Sequence, residues 1–246
     1  MNINRVVCWF SCGATSAVAS KLALDKYKNT LPVEIVYCDT RSEHPDNYRF
    51  LKDCEEWYGQ EIIKLHNPKY WDIWEVFQKE NYLSGIHGAR CTLELKKKLR
   101  MDFEDLESDV QVFGYDADEG KRIAKFIKNN PEVSAEFILY DLGIDKPKAL
   151  RTLMKAGIDV PYMYKLGYKN NNCIGCVKGA KGYWNKIRVD FPNVFERMAR
   201  EEQRLGAKMN IINIKGKPTH LSLYDLPENA GRYKSELPIS CDIVCG

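Results

Sequence analysis

Along the first 140 residues, short apolar runs alternate with longer stretches of helical periodicity. Val6 to Phe10 is β-branched and aromatic, which predicts a buried strand. Ser11 to Ser16 (SCGATS) is a turn of small residues, and Ala17 to Tyr27 carries the small and apolar pattern of a helix. Further strands are predicted at VEIVYC from Val33, EIIKL from Glu61, QVFG from Gln111 and FILY from Phe137. Between them fall helical runs over Asn47 to Tyr58, Tyr70 to Lys79, Thr92 to Leu99 and Glu119 to Lys128. This alternation predicts an α/β fold, an open and mostly parallel five-stranded sheet with ligands at the carboxyl ends of its strands. Those ends carry SCGATS, DTRSEHPD and GYDADEGKR. After Tyr140 the pattern changes to short helices, turns and cysteines. The expected organisation is a ligand-binding α/β domain over 1–140 and a cysteine-bearing helical subdomain over 141–246.

A strand, a tight polar turn and a helix bring several backbone N–H groups and a helix N-terminus to one point, which favours an anion such as phosphate. SCGATS is neither a GxGxxG fingerprint nor a Walker loop with its lysine. A net charge of +3 over 246 residues does not demand nucleic acid, although it permits local basic patches. No leader pattern precedes the first strand and no apolar run approaches the ~20 residues of a membrane span. The expectation is a soluble, cytoplasmic protein.

Nine cysteines change the picture. Without a secretory pattern, metal binding or thiol chemistry is favoured over a disulfide framework. Cys8, Cys38 and Cys54 fall in strand-like or helix-like runs and read as buried structural thiols. Cys12, in the turn, reads as a small residue whose exposure makes it oxidisable. The spacing Cys173-Ile174-Gly175-Cys176 lets two thiolates grip one metal or cluster, with a redox dithiol as the alternative. Downstream, Lys178, Lys181, Lys186 and Arg188 interleave with Tyr183 and Trp184. Such a segment tracks a polynucleotide backbone and stacks a base; in the favoured reading Phe191, Pro192 and Phe195 pack the subdomain and Met198 to Leu205 is a mixed-charge surface helix. Tyr70, Trp71, Trp74 and Phe77 recur at helical spacing and read as core. His44 and His87 fall in loops that border a ligand site but show no metal-ligand spacing.

Taken in order, these segments resemble the PAPS reductase-like branch of the PP-loop ATP pyrophosphatases, the adenine nucleotide alpha-hydrolase superfamily. SCGATS resembles the SGGxDS loop, and YCDTRSEHPDNYRFL from Tyr37 resembles the strand-end aspartate with its following proline and helix. GARCTLELKKKLR from Gly88 is similar to the family's arginine, cysteine and lysine segment. GYDADEGKR from Gly114 matches its glycine, glutamate and arginine in Gly114, Glu119 and Arg122, and YMYKLGYKNNNCIGC leads into the paired cysteines.

The resemblance implies a Rossmann-like sheet with an adenine nucleotide, ATP or an adenylyl-sulfate, across its first strand ends. Ser11, Gly13, Thr15 and Ser16 would hold phosphate with Asp39 nearby, and Arg90, Lys96 and Arg122 would offset further negative charge. Glu119 would orient Arg122 or a Mg2+ ion, or simply start a helix. Cys91, Cys173 and Cys176, with Cys245 or Cys241 as the fourth, would ligate an iron–sulfur cluster. The competing assignment is structural Zn2+ on Cys173, Cys176, Cys241 and Cys245. Two departures stand out. Cys12 replaces the loop's second glycine and Thr15 its aspartate, which weakens the case for ATP cleavage more than for nucleotide binding. The tail SCDIVCG replaces the reductases' Glu-Cys-Gly-x-His motif, leaving Cys241 or Cys245 as the tail nucleophile. The implied chemistry is substrate adenylation or sulfur transfer, with thiol-dependent reduction of adenylyl-sulfate as the alternative. An inactive nucleotide- or nucleic-acid-binding module is the non-enzymatic reading. The implied partners are the nucleotide, a sulfur donor or thiol reductant, a nucleic-acid substrate and a second copy of the chain.

Overall fold

The computed structural model describes residues 3–85, 88–214, 216–239 and 241, apart from the side chains of 213 and 214. Cys245 and His87, singled out above, lie outside the described residues. The chain runs β1 (Arg5–Trp9), α1 (Ala14–Tyr27), β2 (Val33–Cys38), α2 (Asn47–Tyr58), β3 (Ile63–Leu65) and α3 (Ile73–Glu80). A small hairpin, β4 (Ser84–Gly85) and β5 (Gly88–Ala89), leads into α4 (Arg90–Thr92), a π-helical stretch Leu93–Lys97 and α5 (Lys98–Phe103). Then come β6 (Asp109–Phe113), α6 (Gly120–Asn129), β7 (Ala135–Glu136), α7 (Ile138–Asp141), α8 (Lys146–Lys155) and α9 (Tyr162–Lys165). Helices α10 (Lys181–Asp190) and α11 (Pro192–Leu205) precede the hairpin β8 (Asn210–Ile214) and β9 (Lys217–Leu221).

Five strands form one sheet in the order β3-β2-β1-β6-β7, and every pairing in it is parallel. The chain winds outward from β1 through β2 to β3, then returns across the sheet to place β6 on the other side of β1. That reversal makes the crevice beyond the ends of β1 and β6 the switch point at which such sheets bind ligands.

Alternation along β1 explains why the sheet is covered on both faces. Val6, Cys8 and Phe10 pack with α1, α2 and the apolar side of α8, where Ala149 and Leu153 are fully buried. Val7 and Trp9 point the other way, into a cluster with Cys38, Phe113, Phe126 and Phe137. A third cluster joins α3 and Leu95 to Cys173, Cys176, α10 and α11.

The fifth strand lies earlier than the apolar run FILY suggests. Ala135–Glu136 pairs with Gln111 and Val112, while Ile138–Asp141 is helical and drives Ile138 and Leu139 against α1. A four-residue apolar run does not distinguish strand from buried helical turn, so pairing decides it. Glu61 and Ile62 precede rather than join β3. Trp71 also departs from expectation: it is 66% exposed with the Arg41 guanidinium 3.9 Å from its ring centroid, whereas Tyr70, Trp74 and Phe77 are core. In the π-helical stretch Glu94, Leu95 and Lys96 are buried in succession, which a regular helix turning 100° per residue does not favour. No helix among the described residues is long and apolar enough to cross a membrane.

Candidate functional site

Beyond the ends of β1 and β6 lies a cavity of about 1020 Å³. Its floor is the loop after β1, with Ser11, Gly13, Thr15 and Ser16 on the lining. Cys12 takes the left-handed backbone conformation, φ 57°, that a glycine would supply without strain. Its side chain is fully buried with Sγ 3.4 Å from the Asn47 carbonyl, and burial raises its thiol well above the ordinary range. The expectation of an exposed, oxidisable Cys12 is therefore corrected: the residue is part of the packing beneath the loop. Ser16 ties the loop together, its Oγ accepting from Ser11 N at 3.0 Å and donating to Gly13 O at 3.0 Å. Gly114 closes the far side, so near α1 that a Cβ there would stand 2.6 Å from Ser16 Cα.

The turn after β6 forms one wall. Glu119 accepts from Asp116 N at 3.0 Å and pairs with Arg122, whose guanidinium lies 4.7 Å from the Tyr115 ring centroid. The opposite wall comes from the C-terminal half: Lys146, Tyr164 and the segment Lys169 to Asn172. Tyr164 Oη lies 3.4 Å from Ala14 N, at the N-terminus of α1. Asn171 is buried, and its Nδ2 bridges Cys12 O at 2.6 Å and Asn47 Oδ1 at 2.7 Å, locking this wall to the loop.

A third side carries sulfur. Cys241 and Lys96 line the same cavity as the loop. The tail reaches it because Glu236 accepts from the first amides of α10, Gly182 N at 2.6 Å and Tyr183 N at 2.9 Å. Asn170 and Asn172 then donate to Ile239 O at 2.8 and 3.1 Å. Around Cys241, the thiols of Cys91, Cys173 and Cys176 are close enough to act on one another electrostatically. Cys176 donates to Cys241, and that bond, aided by Lys96 and Lys178, holds Cys241 well below the ordinary thiol range despite its burial. Burial instead pushes Cys91 up to about 12. Thr40 Oγ1 lies 3.1 Å from Cys173 Sγ and Thr92 Oγ1 lies 3.6 Å from Cys241 Sγ. The cysteine turn is built for one shape: Gly175 has φ 79°, and buried Tyr183 Oη accepts from Gly175 N and Cys176 N at 3.0 and 2.9 Å. All eight described cysteines are free thiols.

The donors gathered here are soft thiols bordered by two lysines and two hydroxyls, with Glu43 held by Lys96, Tyr37 and Asn47. That chemistry fits a thiophilic metal or an iron–sulfur cluster, whose anionic charge the lysines would offset, rather than Mg2+. Among the described residues no three Cys, His, Asp or Glu side chains already converge as a metal site.

Other predicted residues lie elsewhere. Asp39 accepts from Arg41 N and Tyr48 Oη, each at 2.9 Å, and is not among the residues lining the cavity. Arg90 also stands off the lining, paired with Glu80 at 2.6 Å and Glu94 at 2.9 Å. His44 stacks on Tyr162 with centroids 4.8 Å apart. Tyr183 and Trp184 are buried, 2% and 0% exposed, so they present no face to a polynucleotide. Sequence reasoning missed Lys146, which reaches the site only through tertiary packing, and did not single out Glu43, Tyr164 or Lys169 within the segments DTRSEHPD and YMYKLGYKNNNCIGC. The tract KNNN before Cys173 was a usable signal, being a polar run directly upstream of a metal-type pair.

An uncharacterised protein of Methanocaldococcus jannaschii is 25% identical over 211 residues, covering 82% of this chain and 42% of its own length. The chain thus spans about two-fifths of that curated relative. The phosphoadenylyl-sulfate reductase of Candida auris, solved as a phosphate complex, superposes with a TM-score of 0.49 at 14% identity, over 68% of this chain and 80% of its own. The U34-tRNA thiolase NcsA of Methanococcus maripaludis, solved with its 4Fe-4S cluster, superposes with a TM-score of 0.43 at 13% identity, over 83% and 72%. Residues 5–129, half of the chain, match the phosphoadenosine phosphosulfate reductase domain, and the protein belongs to that family.

Proposed function

We propose that this protein is an enzyme that uses an adenine nucleotide to carry out sulfur chemistry in the cavity beyond β1 and β6. One observation carries the reading: the loop 11–16 and the Cys241–Lys96 edge of the thiol group line a single cavity. A nucleotide and a sulfur centre in that space meet without a transfer between sites.

In the preferred reaction, an oxygen of the acceptor attacks the α-phosphorus of ATP and pyrophosphate leaves. Hydrosulfide then attacks the acceptor carbon, the C–O bond breaks and AMP departs with the oxygen. The amides at the start of α1, with Ser11 and Ser16, bind phosphate; Arg122, oriented by Glu119, and Lys96 stabilise the charge that develops. Cys91, Cys173 and Cys176, with Cys241 or Cys245, would hold an iron–sulfur cluster, which when bound supplies a site for sulfide.

The position of Cys241 on the lining of the same cavity as the loop favours a second reading, thiol-dependent reduction of an adenylyl-sulfate. There the Cys241 thiolate attacks the sulfate sulfur, AMP leaves, and an external thiol attacks the Cys241 sulfur to release sulfite and form a mixed disulfide. Pyrophosphate from ATP marks the first reaction, and sulfite from adenylyl-sulfate marks the second.

Anaerobic purification followed by iron, sulfide and zinc analysis tests the sulfur centre, on wild type and Cys173→Ser. About four iron and four sulfide per chain are expected in wild type, with loss of both in the variant. One zinc and no iron would leave the cysteines as scaffold and end the cluster-dependent reading.

A further inference from the structure

Lys146 is an unusual lysine. As the first residue of α8 it is half-buried at the cavity wall, its Nζ donating to Lys169 O and to Asn170 Oδ1 at 2.8 Å. The same Nζ lies 4.9 Å from the Tyr164 ring centroid. Its hydrogen-bond acceptors are thus two neutral oxygens beside a π face. Among the described residues no carboxylate lies within ion-pair distance of it, whereas Arg122 and Lys96, which share the cavity, are paired with Glu119 and Glu43. A partly desolvated ammonium whose neighbouring carboxylate, Asp116, stands beyond ion-pair distance is costly unless an anion arrives.

The opposite side of the cavity has the complementary deficit. The loop 11–16, SCGATS, offers amides and hydroxyls but no charged side chain. Tyr164 spans the gap: its hydroxyl touches Ala14 N at the loop while its ring meets Lys146. The Tyr164 side chain thus touches both Nζ and the start of α1.

We infer that Lys146, with the Tyr164 hydroxyl beside it, is the cationic side of the phosphate subsite and binds the phosphate chain of a nucleotide seated on the loop 11–16. The inference rests on the nucleotide reading above and adds a binding residue from outside the matched segment 5–129.

Burial lowers the Lys146 ammonium to about 8, partly opposed by Asp116. The charged and titratable groups that line the cavity with it include Tyr164 and Lys169 on its own wall, Asp116, Asp118, Lys121 and the Glu119–Arg122 pair on the wall after β6, and Lys96 and Cys241 on the third side. Binding an anion raises the lysine's pKa, so the contribution to affinity is complete below about 8 and declines as pH rises through the nucleotide-bound value.

The test is ATP affinity for wild type, Lys146→Met, Lys146→Arg and, as a charge control on the same helix, Lys148→Met, with thermal melts as the check of folding. Lys146→Met is expected to weaken ATP at least about tenfold while Lys148→Met stays within about twofold. Wild-type affinity falls between about pH 7 and about pH 9.5, and Lys146→Arg removes that fall because arginine stays charged. If wild type binds ATP and Lys146→Met binds it equally well, or Lys148→Met loses as much, the inference is wrong and the nucleotide reading survives. If Lys146→Met does not fold, an unchanged pH profile in Lys146→Arg overturns the inference on its own. No binding by wild type at any pH removes both.

Discussion

Gly114→Ala is expected to reduce ATP affinity by about a hundredfold and stability by about 3 kcal/mol, the upper range for overpacking a tight site. The added methyl would stand 2.6 Å from Ser16 Cα and 2.7 Å from Ser16 N. Both atoms are backbone in the first turn of α1, so no rotamer change relieves the clash. Either α1 or the end of β6 must move, and each borders the loop 11–16 proposed to hold phosphate. Gly13→Ala is the informative contrast. Its Cβ would meet Tyr164 Oη at 3.2 Å and Ser11 Oγ at 3.6 Å, both side-chain atoms that can give way. Denaturant unfolding and ATP titration of the two variants should therefore separate sharply. Equal, small effects would mean that β6 does not press against the loop as described.

Lys96→Met is expected to cost about 3 kcal/mol, the low end for removing one member of a buried ion pair. Lys96 and Glu43 side chains are 8% and 4% exposed, with Nζ 3.5 Å from Oε1. Burial opposes the lysine's charge, yet Cys241, Glu43 and Cys173 outweigh it and raise its pKa well above the ordinary value. Without Lys96, Glu43 keeps only neutral donors, Tyr37 Oη and Asn47 Nδ2, each at 2.8 Å. Burial, which already raises the Glu43 pKa, then acts with less opposition. The double variant Lys96→Met with Glu43→Gln removes both charges and should recover at least half of the loss, a coupling that a double-mutant cycle reads directly. A Lys96→Met protein as stable as wild type would show that the pair is not the buried electrostatic link between the segment after β2 and the thiols.

Local pattern made the N-terminal α/β half of the fold legible. β1, β2 and β6 are apolar runs buried on both faces, and α2 has a clear amphipathic stripe. β7 was misjudged because its two residues are chosen by pairing with Gln111 and Val112, not by their own pattern. Trp71 has the right spacing for the core but precedes α3, where it meets Arg41 instead. At the site, the family resemblance pointed to Ser11, Ser16, Glu119, Arg122 and Lys96, and the fold gathers them around one cavity. Asp39 and Arg90 carry the same kinds of charge, but neighbours claim them: Tyr48 and Arg41 for Asp39, Glu80 and Glu94 for Arg90. Lys146 was invisible because nothing in its helix-starting sequence, Asp-Lys-Pro, distinguishes it from a solvated surface lysine. Its surroundings come from residues 164–170, a contact that only the packed chain reveals.

The central claim is that the cavity beyond β1 and β6 holds an adenine nucleotide. Calorimetric titration of the anaerobically purified wild-type protein with Mg2+–ATP, ADP and adenylyl-sulfate tests it most directly. The account predicts saturable binding of at least one of these, about one nucleotide per chain, competed by the others. No saturable binding of any adenine nucleotide would contradict it, and with it the sulfur chemistry proposed for this site.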